Sequence, residues 1–194
     1  MIKLLMRIAG IAVCAVMLLG ASQCQTTNNG TGPDGPLFVT TLAVEDMNGN
    51  TVSTFSPSQQ IQFVLSVRNR STSSQTISFS TAQLYNFVVL NSGSATEVWT
   101  WSVGQTFSQN TTTLSIAAGQ TQKYSFTWNQ TDDSGQAVPS GNYEVIGGMT
   151  CTNSSSSSSS SSTTTNNCMP TGVPTSDQLL PSVYISTLVP FTIQ

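Results

Sequence analysis

Hydrophobic and polar positions alternate along most of this chain. The clearest run is Ile61, Phe63, Leu65 and Val67, interleaved with Gln62, Val64, Ser66 and Arg68. That spacing puts four apolar side chains on one face of a strand. Before it, Leu37 to Asp46 (LFVTTLAVED) reads as a first strand, and Asn48-Gly49 supplies turn chemistry. After it come a polar turn from Asn69 to Gln75 and a strand opened by Ile77 and Phe79. Tyr85 to Ser102 (YNFVVLNSGSATEVWTWS) reads as two strands joined at Asn91-Ser92-Gly93-Ser94. Trp99 and Trp101, one residue apart, are expected on one strand face, as a large apolar load that anchors the core.

The second half repeats the pattern. Leu114 and Ile116 precede a turn at Ala118-Gly119-Gln120, and Tyr124, Phe126 and Trp128 alternate beyond it. Asp132 to Gly141 is a loop rich in Asp, Ser, Gly and Pro, and Tyr143 and Val145 open a strand that runs to Met149. A last strand is expected over Val183, Ile185 and Leu188 to Ile193, broken or bent at Pro190. No segment carries a 3.6-residue apolar period. Some eight short strands at close spacing, about 7–9 in all, predict an all-β, antiparallel β-sandwich. The approach Ser140-Gly141-Asn142-Tyr143 resembles the tyrosine corner of immunoglobulin-like folds, against the alternative of an ordinary strand tyrosine.

The two ends of the chain change the picture. Lys3 and Arg7 precede an apolar run from Ile8 to Leu19, too short to span a bilayer comfortably, and Gly20, Ala21 and Ser22 follow. Residues 1–24 therefore read as an export signal. Cys24 sits where a bacterial lipoprotein signal places the cysteine that is acylated, although Ala21 and Gln23 replace the preferred residues before it. The alternative is ordinary cleavage nearby. Residues 25–36 (QTTNNGTGPDGP) form a flexible linker that would lift the domain, residues 37–194, off a membrane. Near the other end, Cys151 and Cys168 flank a run of Ser, Thr and Asn. With no apolar surface, residues 151–168 read as a tolerated insertion closed by a disulfide. Such a bond contributes about 3 kcal/mol by restricting the unfolded chain, and export makes it chemically reasonable. Cys14 lies inside the apolar run and would leave with it, so pairing Cys151 with Cys168 leaves Cys24 over, which fits its acylation.

Composition then excludes chemistry. The chain has no histidine, which removes Ser-His-Asp and Cys-His nucleophile systems and His-based zinc sites. Only 7% of residues are charged, and beyond Lys3 and Arg7 the bases are Arg68, Arg70 and Lys123. Such a balance argues against a nucleic-acid partner. The paired acids Glu45-Asp46 and Asp132-Asp133 could do acid–base work or hold calcium. Both pairs lie near turns, where acids are commonly just solvated, so no catalytic, cofactor or metal residue is assigned.

The segment from about Phe63 to Gly148 resembles the BsuPI domain, named for an intracellular proteinase inhibitor of bacilli. The likeness rests on FVLSVRN, ISFSTAQ, Tyr85-Asn86-Phe87, the Val98-Trp-x-Trp-Ser102 box, Phe107-Ser-Gln, Leu114-x-Ile with Gly119, Tyr124-x-Phe-x-Trp128, and Gly141-x-Tyr143-x-Val145-x-Gly147. Asn86 stands where that family usually has aspartate. The resemblance implies an immunoglobulin-like β-sandwich, with a family-like core over about 60–150, and inhibition of a serine protease. The matched residues are those that a core and its turns need, so the likeness carries fold further than activity. Two functions follow as expectations. The first is a non-catalytic binding domain with a protein partner, exported to the cell envelope on a lipid anchor at Cys24 or secreted. The second is an inhibitor of a subtilisin-like serine protease, for which Val138-Pro139 in the loop Gln130 to Ser140 is the candidate inhibitory segment.

Overall fold

The computed structural model describes residues 31–32, 35–152, 168–169 and 184–194. Residues 1–24, read as an export signal ending at Cys24, and nearly all of the serine run lie outside them. The described strands are β1 (Thr31–Gly32), β2 (Gly35–Pro36), β3 (Phe38–Glu45), β4 (Thr54–Phe55), β5 (Ile61–Asn69), β6 (Gln75–Phe79), β7 (Tyr85–Asn91), β8 (Glu97–Thr100), β9 (Thr112–Ile116), β10 (Thr121–Trp128), β11 (Gly141–Met149) and β12 (Val189–Ile193). Two sheets, ordered β10-β5-β3 and β4-β12-β11-β7-β8, face each other, and β6 and β9 form a separate pair. Every pairing is antiparallel except β12 with β4, which is parallel over Thr192–Thr54 and Ile193–Phe55. Two short strands, β1 and β2, pair inside the stretch read as linker. The protein is an immunoglobulin-like antiparallel β-sandwich.

The period-two run explains the interior. β5 is the middle strand of its sheet, and Ile61, Phe63, Leu65 and Val67 are all fully buried. Phe63 is the hub. Its ring lies 5.8 Å from Trp128, 6.0 Å from Phe87 and 6.0 Å from Phe191, the last two in the opposing sheet. Burying one such ring contributes on the order of 2–3 kcal/mol before entropy is counted. Gly147 makes room for this contact, since a Cβ there would stand 2.9 Å from the Phe87 ring.

The tryptophans divide the work differently from the sequence expectation. Trp128, at 1% exposure, is the indole of the interior, whereas Trp99 and Trp101 are half-buried. β8 ends at Thr100, so Trp101 already lies in the following turn. Because β8 and β10 are both terminal strands of their sheets, the indoles close the seam between them. Trp99 stacks on Phe126 at 5.1 Å, and Trp101 stacks on Tyr85 at 4.4 Å.

A second apolar layer was not expected. β7 and β11 are covered on both faces: Val88, Leu90 and Ile146 on the outer face form a small cluster with Met169 and Ile185. The covering segment is tied on by backbone bonds from Met149 N to Tyr184 O and from Ser186 N to Gly147 O, both 2.9 Å. Val183 lies outside the described residues, and Ile185 makes only an isolated bridge to Gly148, so the last strand starts at Val189. It runs through Pro190 unbroken. β4 reaches only Thr192 and Ile193, so at Pro190 the far side of β12 has no neighbour needing its missing N–H.

Candidate functional site

At one end of the sandwich, Ile61 pairs with Trp128 and Glu45 with Gln62, so the chain leaving β3 and β10 and the chain entering β5 meet there. The β7–β8 turn joins them, with Ser92 N donating to Asn142 O at 3.1 Å. Loop 129–140, which carries Val138 and Pro139, leaves this end and is fastened at five points.

The tip is capped by Asp132. Its Oδ1 accepts from Ser134 N and Gln136 N, both 2.9 Å, and from Ser134 Oγ at 2.7 Å. Asp132 N donates to Gln136 O, Gly135 N donates to Asp132 O, and Gly135 takes a φ of 80° that the turn requires. The hydrogen bond from Ser134, with backbone N–H groups beside it, holds the Asp132 carboxyl below the usual carboxylate range.

The neck is clamped by Gln130, a buried side chain. Its Nε2 donates to Ser56 O (2.9 Å) and Gln59 O (2.8 Å), and its Oε1 accepts from Ser58 N (2.9 Å). Both Gln130 (φ 59°) and Ser58 (φ 64°) take left-handed backbone conformations that cost on the order of 1 kcal/mol each. The three side-chain bonds offset that strain. Beside them, Trp128 Nε1 donates to Thr131 O at 2.8 Å.

Asp133 fastens the tip to the other sheet. Its Oδ1 accepts from Thr100 N at 2.9 Å, and Thr100 Oγ1 donates to Glu97 Oε1 at 2.8 Å. Burial, with Asp133 within hydrogen-bond reach, raises the Glu97 carboxyl above the usual glutamate value. At the foot, Tyr143 OH donates to Pro139 O at 2.6 Å, which is the tyrosine corner. Burial raises the Tyr143 phenol and keeps it a donor. Val138 packs its side chain against the core and donates its N–H to Gln130 O at 2.9 Å; Pro139 is exposed. Residues 133–137 form the exposed tip.

The other residues singled out from the sequence have structural duties. Cys151 and Cys168 are joined by a disulfide at the end of β11. Asp46 is spent as a turn cap, accepting from Asn48 N and Asn50 N at 2.9 Å. Buried Asn86 accepts from Phe87 N (3.0 Å) and Ser102 N (3.2 Å), a duty its amide oxygen performs without the charge of an aspartate. Among the described residues no group of three or more His, Cys, Asp or Glu could hold a metal ion. Gln130 was missed by sequence reasoning. Its only local signal is a glutamine two residues after a strand, and its partners lie more than 70 residues away.

The β-sandwich thus carries one end loop whose Gln130, Asp132 and Asp133 side chains are hydrogen-bonded within the protein. The chain belongs to the BsuPI family, described as intracellular proteinase inhibitor, which matches residues 49–154, more than half of its 194 residues. No curated protein matches the chain. Among solved structures it is similar to an alkylpurine DNA glycosylase of Pseudomonas fluorescens bound to DNA containing an abasic site analogue (9% identity, TM-score 0.43, 82% of this chain and 31% of that one). It is also similar to the CARDB domain of a Pyrococcus furiosus protein in complex with di-metal ions (10%, 0.36, 80% and 91%), and to a β-glucosidase of Erythrobacter marinus (10%, 0.40, 81% and 15%). The chain thus spans about a third of the length of the glycosylase.

Proposed function

We propose that this chain is a non-catalytic binding domain that works outside the cytoplasm, at the cell envelope, and grips a protein partner with the tip of loop 129–140. The observation that carries this reading is the Gln130–Asp132–Asp133–Tyr143 network, which holds the loop in one shape before any partner arrives. A preorganised loop loses little conformational entropy on binding. The signal-like pattern of residues 1–24 and the linker-like residues 25–36 support the setting, with Cys24 as the acylated residue, and the absence of histidine supports a non-catalytic role. Mass spectrometry of the mature N-terminus will find diacylglycerol on Cys24; an unmodified peptide that starts at or before Cys24 removes the anchor. A photo-crosslinker at Ser134 will capture one envelope protein, and excess unlabelled domain will compete it away. Recovery of the protein only from the cytoplasm ends this reading.

The family description favours a second reading, in which the partner is a subtilisin-like serine protease. A protease is resisted by a loop that cannot relax after attack, and Val138 and Pro139 fix the foot of this one. Incubation with subtilisin decides it: absence of inhibition at micromolar protein, or rapid cleavage within 129–140, excludes the inhibitor.

A further inference from the structure

A polar hollow of about 310 Å³ lies at the opposite end of the sandwich from loop 129–140. That size is at the lower limit of ligand sites, roughly 300–1,000 Å³. It opens between residues 81–83, which lead into β7, and the segment that joins β8 to β9, and is lined by Thr81, Gln83, Gln105, Thr106, Phe107 and Gln109. Ala82 N donates to Ser108 O at 2.8 Å and pins the two walls together.

Gln83 is the built part of this hollow. It is 2% exposed, its backbone N donates to Thr81 Oγ1, and its carbonyl accepts from Thr150 Oγ1 beyond the end of β11. Its Nε2 donates to Tyr85 O at 3.3 Å, which fixes the amide plane. Among the described residues nothing donates to its Oε1, which leaves an acceptor on a buried residue that lines the hollow. Gln105 and Thr106, which also line it, have exposed side chains with no hydrogen bond among the described residues. Phe107 adds an aromatic ring, held 5.6 Å from Trp101.

We propose that this hollow binds a neutral, hydroxyl-rich ligand: the end of a glycan chain. None of the lining residues ionises, so a phosphate, carboxylate or amine would lose its hydration without a counter-charge. Amides and hydroxyls offer donors and acceptors together, which is what adjacent sugar hydroxyls need. The ring of Phe107 suits the apolar face of a pyranose. A peptide fits worse, because peptide sites are built on a free strand edge or apolar side-chain pockets, and every lining residue here lies outside the strands.

The experiment titrates the isotope-labelled full chain with maltotriose, cellotriose and the N-acetylglucosamine trimer, following amide shifts and Trp101 fluorescence. At least one sugar will give saturable shifts confined to residues 81–83 and 105–109. Gln83→Met, which keeps the shape and removes the acceptor, will weaken it about tenfold, as loss of one good hydrogen bond does. Gln105→Ala on the exposed rim will also weaken it and keeps the test valid if Gln83→Met does not fold. Asp132→Ala, at the other end, will leave sugar binding unchanged. The proposal is overturned by no saturable shift up to about 20 mM of any of the three, by shifts elsewhere on the molecule, or by equal saturation with inorganic phosphate or an uncharged Gly-Ser peptide.

Discussion

Two turns of this protein are made the same way and end up with different long-range fastening. In residues 46–50 and 132–136 an aspartate N–H donates to the carbonyl four residues on, and a glycine at the fourth position donates back to the aspartate carbonyl. In both, the aspartate Oδ1 accepts from the backbone N–H groups two and four residues on. The glycines take φ of 82° and 80°. The turn after β3 adds only the local bonds from Asn50 Nδ2 to the Asp46 carboxylate, at 3.3 and 3.0 Å. The turn after β10 gains the Gln130 clamp, the Asp133 link to Thr100 and the tyrosine corner. Local turn chemistry sets the shape of a loop, and long-range side-chain bonds decide whether it is held.

The largest effect on that difference comes from Gln130→Ala, which removes all three clamp bonds. It will cost about 2 kcal/mol in urea unfolding, and residues 129–140 will exchange amide protons as fast as residues 46–50. Next, Tyr143→Phe removes only the bond to Pro139 and will cost about 1 kcal/mol, with the packing of the ring unchanged in near-ultraviolet circular dichroism. Then Asp132→Ala and Asp46→Ala, the same change in each turn, will both lower the melting temperature, but only Asp132→Ala will speed exchange at Thr100 N–H. Equal behaviour of the two would mean that the extra fastenings hold nothing. The smallest effect is electrostatic. The folded Glu97 carboxyl is raised above its unfolded value by burial and by Asp133. The folded state therefore binds the proton more tightly. Its contribution is complete below the ordinary glutamate range and is lost as pH rises through the raised value. Glu97→Gln will flatten that fall in a series of melts across the acidic to neutral range.

Most of the sandwich could be read from the sequence, because period-two alternation is a local signal. Phe38–Glu45, Ile61–Asn69 and Thr121–Trp128 appear within a residue or two of where the pattern put them. The outer apolar layer could not be read. Val88, Leu90 and Ile146 fill the polar phase of their strands, and their cover comes from Met169 and Ile185, distant in sequence. Likewise, Trp99 and Trp101 look like core anchors until the sheet order shows that β8 is a terminal strand. Turn-capping by Asp46 and Asp132 was half legible from their place beside turns. The Gln130 clamp depends on partners more than 70 residues away, which no spacing rule reaches.

The wide sheet is finished late. β12 supplies the pairing partner of Gly141–Val145 and is, among the described residues, the only strand beside β4, from the first half of the domain. A chain that emerges amino end first therefore carries β7 and β11 as an incomplete, sticky platform until residues 184–194 arrive. High contact separation of this kind slows folding and lengthens exposure to aggregation. For this protein the hazardous interval is biosynthesis, and a holdase that shields Val88 and Ile146 would matter most then.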